Sequence, residues 1–515
     1  MNGSGRYDLQ KLLFRRQFIL GPRFVEKLFW WKRLHIRGTT ICLTIHPDLM
    51  VFQKFANGKS ITLLGYILDP ENPKATDEDI LDSLIEKLIT LDNVQSFIES
   101  TYRFGGRWVL IIDNGIEIYL FNDAAGFRQI FFTEKEFTDD TWCASQTGIL
   151  AEELKLQYDD DAVKQIHGCR EKDDGEYWWP NDRTPFREIR HLLPNHYLNL
   201  TSNLCVPYWP NEDVPEMTLE ESVEKGAKLL KALIESAANR YELAYTITAG
   251  RDTRLLLAAS RDIRHKIYFF SMIYWHMTNR SVDVVVPSRL LKKLGLGHHI
   301  IKCPTQMDDE FDEIYTRNVP TARKVYGTIA QGLFDQYPVE KICVKGNASE
   351  VARYRNMNKE DKENLNGLKL AKYQGLGKNS FVASEFDEWL GMANNRKHNL
   401  DILNLFYWEQ RLGNWQGMSQ TEWDIVMETF DPCNCRSLMI TLLSAPEESR
   451  KGPKYILFEC LTKAMWQDVL CEPINPEWKS TAAAIVDIVK MAALHKFIPK
   501  SIRDEVKYRL RLHSR

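Results

Sequence analysis

Between Leu243 and Ala259 an apolar run, Leu243 to Ile247, passes through Thr248-Ala249-Gly250-Arg251-Asp252-Thr253 into a second apolar run, Leu255 to Ala259. A buried strand that leads through small residues straight into a helix is the building unit of a parallel α/β sheet. The flanking text agrees. Thr218-Leu219-Glu220-Glu221 has the spacing of a capping box, in which hydroxyl and carboxylate each satisfy the other residue's backbone amide, and it predicts a helix to about Asn239. After the loop the pattern predicts a strand from Ile267 to Met272, a helix at about 281–294 and a short strand near His299-Ile300-Ile301. From about residue 360 the pattern is helical.

Upstream the periodicity changes. Trp108 to Ile112 and Ile116 to Phe121 are apolar runs separated by Asp113-Asn114-Gly115, and Asn-Gly between two such runs predicts a hairpin. A further strand is expected over Gln129 to Thr133, and an amphipathic helix over 77–91. The front of the chain therefore reads as β-rich layers with helices beside them. Trp178 to Asp213, rich in Pro, Trp and Asn, reads as ordered connection. A chain of 515 residues exceeds what one core usually reaches, so two domains are expected, with a boundary near residue 212.

A formal charge of -3, with 27% charged residues, gives no electrostatic basis for a nucleic-acid partner. No apolar stretch approaches the roughly 20 residues of a membrane span, and Asp8, Lys11, Arg15 and Arg16 interrupt any secretory apolar region. A cytoplasmic protein is expected. The ten cysteines have no paired framework or zinc-site spacing and read as reduced, mostly buried thiols. The chain from Met491 onward is basic and reads as a solvated helical face.

The loop at 247–254 carries the chemistry. Small residues there let backbone amides approach a phosphate, Thr248 and Thr253 supply hydroxyls, and the helix N-terminus favours an anion. Asp252 suits magnesium bridging the phosphates. On the residues alone, a plain strand-to-helix turn explains the segment equally well. The stretch resembles the S-G-G-x-D-S loop of the ATP-pyrophosphatase superfamily, in its asparagine-synthetase branch, with Ala249 standing where that loop has its first glycine. Phe104-Gly105-Gly106-Arg107-Trp108, Asn122-Asp123-Ala124-Ala125-Gly126-Phe127-Arg128 and Ile189 to Tyr197 are similar to segments of that family's glutaminase domain, in the family's order.

The resemblance implies an α/β fold: an Ntn-hydrolase-like αββα layered domain over 1–212, then a parallel-sheet synthetase domain over 213–515 with a helical C-terminal part. It implies ATP and Mg2+ as cofactors. Thr248, Ala249, Gly250, Asp252, Thr253, Arg254 and Met272 are the expected nucleotide contacts, and Asp252 and Glu350 the metal ligands. Glu350 lies in Ile342 to Glu350, similar to the family's strand and second acidic loop. Lys479 stands by order where the family uses a late lysine in acyl transfer, and a surface lysine is the commoner explanation. Glu409, in Tyr407 to Trp415, is a candidate general base toward an amine, although Trp408, Leu412 and Trp415 at helical spacing also read as a packed face.

In glutamine-dependent members a cysteine follows the initiator methionine; here that place is Asn2, which is no nucleophile. Cys42, within an apolar run, reads as core. The expected activity is therefore adenylation of a small-molecule carboxylate and transfer to ammonia or a substrate amine without glutamine hydrolysis, with a surface polysaccharide among the substrates considered. A homodimer is compatible with this reading. The alternative is an inactive relative that binds a nucleotide or a protein partner.

Overall fold

The computed structural model describes residues 8–36, 38–91, 93–138, 140–168 and 178–476. Its strands are β1 (Phe18–Gly21), β2 (Lys32–His35), β3 (Cys42–Ile45), β4 (Val51–Ala56), β5 (Lys59–Leu68), β6 (Gly105–Asp113), β7 (Ile118–Asn122), β8 (Phe131–Thr133), β9 (Cys143–Ala144), β10 (Ile189–His191), β11 (His196–Asn199) and β12 (Leu204–Pro207) in the front part. They form two antiparallel six-stranded sheets, ordered β10-β8-β9-β1-β3-β2 and β12-β11-β7-β6-β5-β4. One apolar cluster fills the space between the sheets, with Phe18, Leu43 and Phe132 from the first meeting Leu64, Val109 and Leu120 from the second. The outer faces are covered by helices. Ile80, Leu81 and Leu84 of α1 (Asp77–Thr90) and Phe97 of α2 (Val94–Glu99) pack on Leu63, Leu110 and Phe121. Ile149 and Leu150 of α3 (Thr147–Leu154) pack on Ile19 and Phe131. The front part is thus an αββα sandwich.

The Asn114-Gly115 hairpin forms between β6 and β7, with Asp113 opposite Ile118. The segment expected to be connection contributes three strands: β11, between β7 and β12, and the edge strands β10 and β12. Edge strands need only one hydrogen-bonded neighbour and tolerate turn residues, and for that reason the Pro- and Asn-rich text hid them.

Thr218 caps α4 (Leu219–Arg240): its hydroxyl accepts from the Glu221 amide and the Glu221 side chain accepts from Thr218, the capping box predicted. Then follow β13 (Leu243–Thr246), α5 (Arg251–Ala259), β14 (Tyr268–Ile273), β15 (His299–Lys302), β16 (Ile342–Val344) and β17 (Thr429–Phe430). The sheet order is β15-β14-β13-β16-β17, and every pairing is parallel. From β13 the chain steps outward to β14 and β15, then returns to the other side of β13 to make β16. The direction of winding therefore reverses between β13 and β16, where a crevice opens at the strands' C-terminal ends.

A buried charge cluster joins this sheet to the sandwich. Arg107 of β6 holds Asp424 through two bonds of 2.5 and 2.8 Å and reaches Glu428 at 2.8 Å, while Arg128 donates to Glu428 at 2.6 Å. Burial opposes the Glu428 charge, but Arg128, Arg107 and Arg16 outweigh it and hold the carboxyl down at about 2. Tyr66 donates to the Thr429 carbonyl at 2.7 Å, and Asn434 clamps Ala125 and Gly106.

Residues 407–416 are wound as a π-helix rather than as the α-helix that the apolar spacing predicted. Its wider turn places Trp408 (buried) toward the sandwich, where the indole donates to the Ala124 carbonyl at 2.7 Å. No helix among the described residues is long and apolar enough to cross a membrane. The nine described cysteines are free, and Cys42 is buried in β3.

Candidate functional site

Two loops leave the sheet at the reversal point, 247–250 after β13 and 345–346 after β16. They pack closely: a Cβ on Gly346 would stand 2.9 Å from the Leu256 side chain and 3.4 Å from the Asp252 Cβ, so any larger residue there must displace Leu256. Within the first loop the Thr248 and Thr253 hydroxyls face each other at 3.3 Å. The Gly250 amide donates to Thr248 Oγ1 at 3.1 Å, and the Ala249 amide to Asp283 Oδ1 at 2.9 Å. Ala249 is fully buried and does not adopt positive φ, so its methyl group causes no backbone strain. Gly250 is the N-cap of α5, and no side chain caps the helix. Its first-turn amides thus retain the polarity that attracts an anion.

Around that helix end stands a charged cluster. Asp252 Oδ1 accepts from the Ser349 hydroxyl at 2.7 Å and from Arg353 Nη2 at 2.5 Å. The other guanidinium nitrogen, Nη1, holds Glu350 Oε1 at 2.7 Å, and the Tyr407 hydroxyl donates to Glu350 Oε2 at 2.6 Å. One arginine therefore bridges the two carboxylates expected to hold metal. Burial raises the Asp252 carboxyl, against the pull of Arg353. Glu350 is also desolvated, yet Arg353, Tyr407, Arg355 and Arg411 prevail and lower it. Tyr455 lies between Arg251 and Arg353, their guanidiniums 5.1 and 5.4 Å from its ring centre.

Beyond Glu350 lies a cavity of about 650 Å³ whose wall includes Arg355, Tyr373, Tyr407, Arg411 and Trp415. Arg355 lies on the Tyr407 ring at 3.6 Å, its Nη2 donating to the Glu350 carbonyl at 2.5 Å, and Arg411 lies on the Trp415 ring at 3.8 Å, so both planar groups are held in the cavity wall. The π-helix supplies Tyr407, Arg411 and Trp415 together. At the end of β16, buried Lys345 lies 3.4 Å from the centre of the Trp423 ring and donates to the Ser419 carbonyl at 3.5 Å. Desolvation pulls its amine down to about 7.

The residues singled out from sequence do not all meet here. Thr248, Ala249, Gly250, Asp252, Thr253 and Glu350 do. Arg254 turns away: it is 1% exposed, and its Nη1 donates to the Val469 and Glu472 carbonyls at 2.8 and 2.9 Å. Half-buried Met272 packs against a core cluster that includes Phe270 and Ile301. Glu409 is fully buried; both oxygens are held by Arg396, with further bonds from Asn195 and Trp389, so its lone pairs are committed to the fold. Lys479 and Asn2 lie outside the described residues. Sequence reading named Arg411 only within Tyr407 to Trp415, as a segment to line an acceptor pocket, and it missed Arg353, Ser349, Arg355 and Asp283. Of these, only Arg353 had a signal, its spacing three residues after Glu350.

Magnesium binding by Asp252 and Glu350 does not fit this arrangement. A divalent ion between them needs the oxygens that Arg353 engages, and no group of three or more His, Cys, Asp or Glu suited to a metal occurs among the described residues.

No protein-family profile matches the chain, and no curated relative matches it. Among solved structures it is similar to an allosteric regulatory enzyme of purine biosynthesis, at 10% identity and a TM-score of 0.24, over 61% of this chain and 75% of that one. It is also similar to the glutamine phosphoribosylpyrophosphate amidotransferase of B. subtilis complexed with ADP and GMP, at 10% identity and a TM-score of 0.22, over 59% of this chain and 66% of that one. A third is the glutamine-dependent NAD+ synthetase of Acinetobacter baumannii in complex with ADP, at 13% identity and a TM-score of 0.17, over 40% of this chain and 38% of that one. At these values no residue role or activity is carried across.

Proposed function

We propose that this chain is an ATP-dependent amide-bond-forming enzyme of the asparagine-synthetase type that works without hydrolysing glutamine. The observation that carries the reading is the pairing, at the reversal point of a parallel sheet, of an uncapped helix N-terminus with an arginine-lined cavity. Thr248, Gly250, Thr253 and the first turn of α5 receive the ATP phosphates, with Arg251 and Arg353 supplying positive charge. Arg355 and Arg411 hold a carboxylate substrate in the cavity, a surface polysaccharide or small metabolite. A carboxylate oxygen attacks the α-phosphorus, the bond to the β-phosphate oxygen breaks, and pyrophosphate leaves. Ammonia or a substrate amine then attacks the acyl carbon, loses a proton and expels AMP. The protein's contribution is alignment and charge neutralisation. The domain boundary near residue 212 and a cytoplasmic setting belong to the same proposal.

A second reading, a nucleotide-binding or protein-interaction module without catalysis, is favoured by one observation: the Ala249 and Gly250 amides are already satisfied within the fold. Pyrophosphate release from ATP, measured across a panel of carboxylates, separates the two. Carboxylate-dependent release that falls at least about tenfold in Asp252→Asn, which unseats Arg353, supports the enzyme. ATP binding without release under any carboxylate supports the nucleotide-binding module, and no ATP binding at all removes the enzyme and leaves only protein interaction.

A further inference from the structure

Arg353 occupies the space between Asp252 and Glu350 and gives one guanidinium nitrogen to each. Three other groups hold this arrangement from outside. Ser349 orients Asp252, Tyr407 orients Glu350, and Tyr455 flanks the guanidinium. Arg353 leaves the 3-10 turn Asn347–Ala352 at its C-cap, so the turn that presents Glu350 also presents the arginine. A bridging guanidinium neutralises one of the two negative charges and spaces the carboxylates by its own width. The Arg353 side chain remains 16% exposed and is bonded to Asp252 in the first turn of α5, so it is reachable from solvent.

We propose that Arg353 is the resident counter-cation of this site, standing in place of a protein-bound divalent ion, so that the site binds ATP without needing a metal held by Asp252 and Glu350. This rests on the reading of the 247–254 loop as a nucleotide site. Asp252 and Glu350 then act as positioning residues that aim a guanidinium at the phosphates. Arginine suits that task because its fork meets phosphate oxygens bidentately and stays charged at every physiological pH.

The test titrates the full chain with ATP by calorimetry, once in EDTA and once in excess Mg2+, and separately with Mn2+ alone by electron paramagnetic resonance. The parent protein is expected to bind ATP in EDTA within about threefold of its affinity in Mg2+, and to bind no Mn2+ at this pair. Arg353→Met is expected to lose about tenfold or more in EDTA and to gain a Mn2+ site at the freed carboxylates. Should Arg353→Met fold poorly, Arg353→Lys decides the matter: it keeps the cation and is expected to retain ATP binding in EDTA. Parent binding that appears only with Mg2+, or loss of ATP binding in Arg353→Lys, overturns the inference while leaving the proposed function standing. Failure to bind ATP under either condition overturns both.

Discussion

Two clusters of arginine and carboxylate lie in this molecule, and they differ in what surrounds them. At the joint between sandwich and parallel sheet, Arg107, Arg128, Asp424 and Glu428 have side chains 3, 1, 4 and 15% exposed, and each arginine is paired with a carboxylate. At the reversal point, Asp252, Arg353 and Glu350 are 23, 16 and 29% exposed and adjoin a cavity. The first arrangement is sealed from water, whereas the second is partly open to it. Charge pairing of the same chemical kind thus serves as a joint in one place, and under the proposed function it would serve as a receptor in the other.

The sharpest way to break this comparison is to remove one cation from each cluster. Arg107→Met leaves Asp424 buried without its two-bond partner, Glu428 keeping Arg128, and is expected to cost about 3–5 kcal/mol in urea unfolding. A cost below about 1 kcal/mol there would place the joint in the same class as an exposed pair. A smaller effect is expected at Lys345. Its amine takes up a proton below about 7 in the fold but below the ordinary 10.5 when unfolded, so between those values the unfolded chain binds more protons and stability climbs with pH. Lys345→Met should flatten that climb and raise stability at pH 6, as read from thermal melts across pH. Thr218→Ala, which removes the cap of α4, should cost about 1 kcal/mol by the same melts. The smallest change is expected for Arg353→Met, at most about 1 kcal/mol, since its partners reach water. A loss as large as that of Arg107→Met would make the reversal-point cluster a second joint.

Local signals were the legible part of the sequence. The capping box at Thr218 and Glu221, the Asn114-Gly115 hairpin and the strand entering the 247–254 loop each depend on residues a few positions apart, and each appears where expected. What escaped depends on distant partners. Arg353 gains its meaning only when Asp252 is brought beside it from 101 positions away. Arg254 looked like a phosphate contact by adjacency, yet its side chain turns to carbonyls near residue 470, a direction that loop spacing does not encode. The π-helix was hidden because Trp408, Leu412 and Trp415 satisfy an α-helical period as well, and only packing against the sandwich selects the wider winding.

That winding has a consequence for how the two halves depend on each other. One ten-residue turn carries the aromatic and cationic wall of the cavity on one side, while Trp408, Glu409 and Gln410 on the other are pinned to Ala124, Asn195 and Asn181. The front half is a jig: it indexes one wall of the cavity. Drift in its surface would be felt as a change in cavity width.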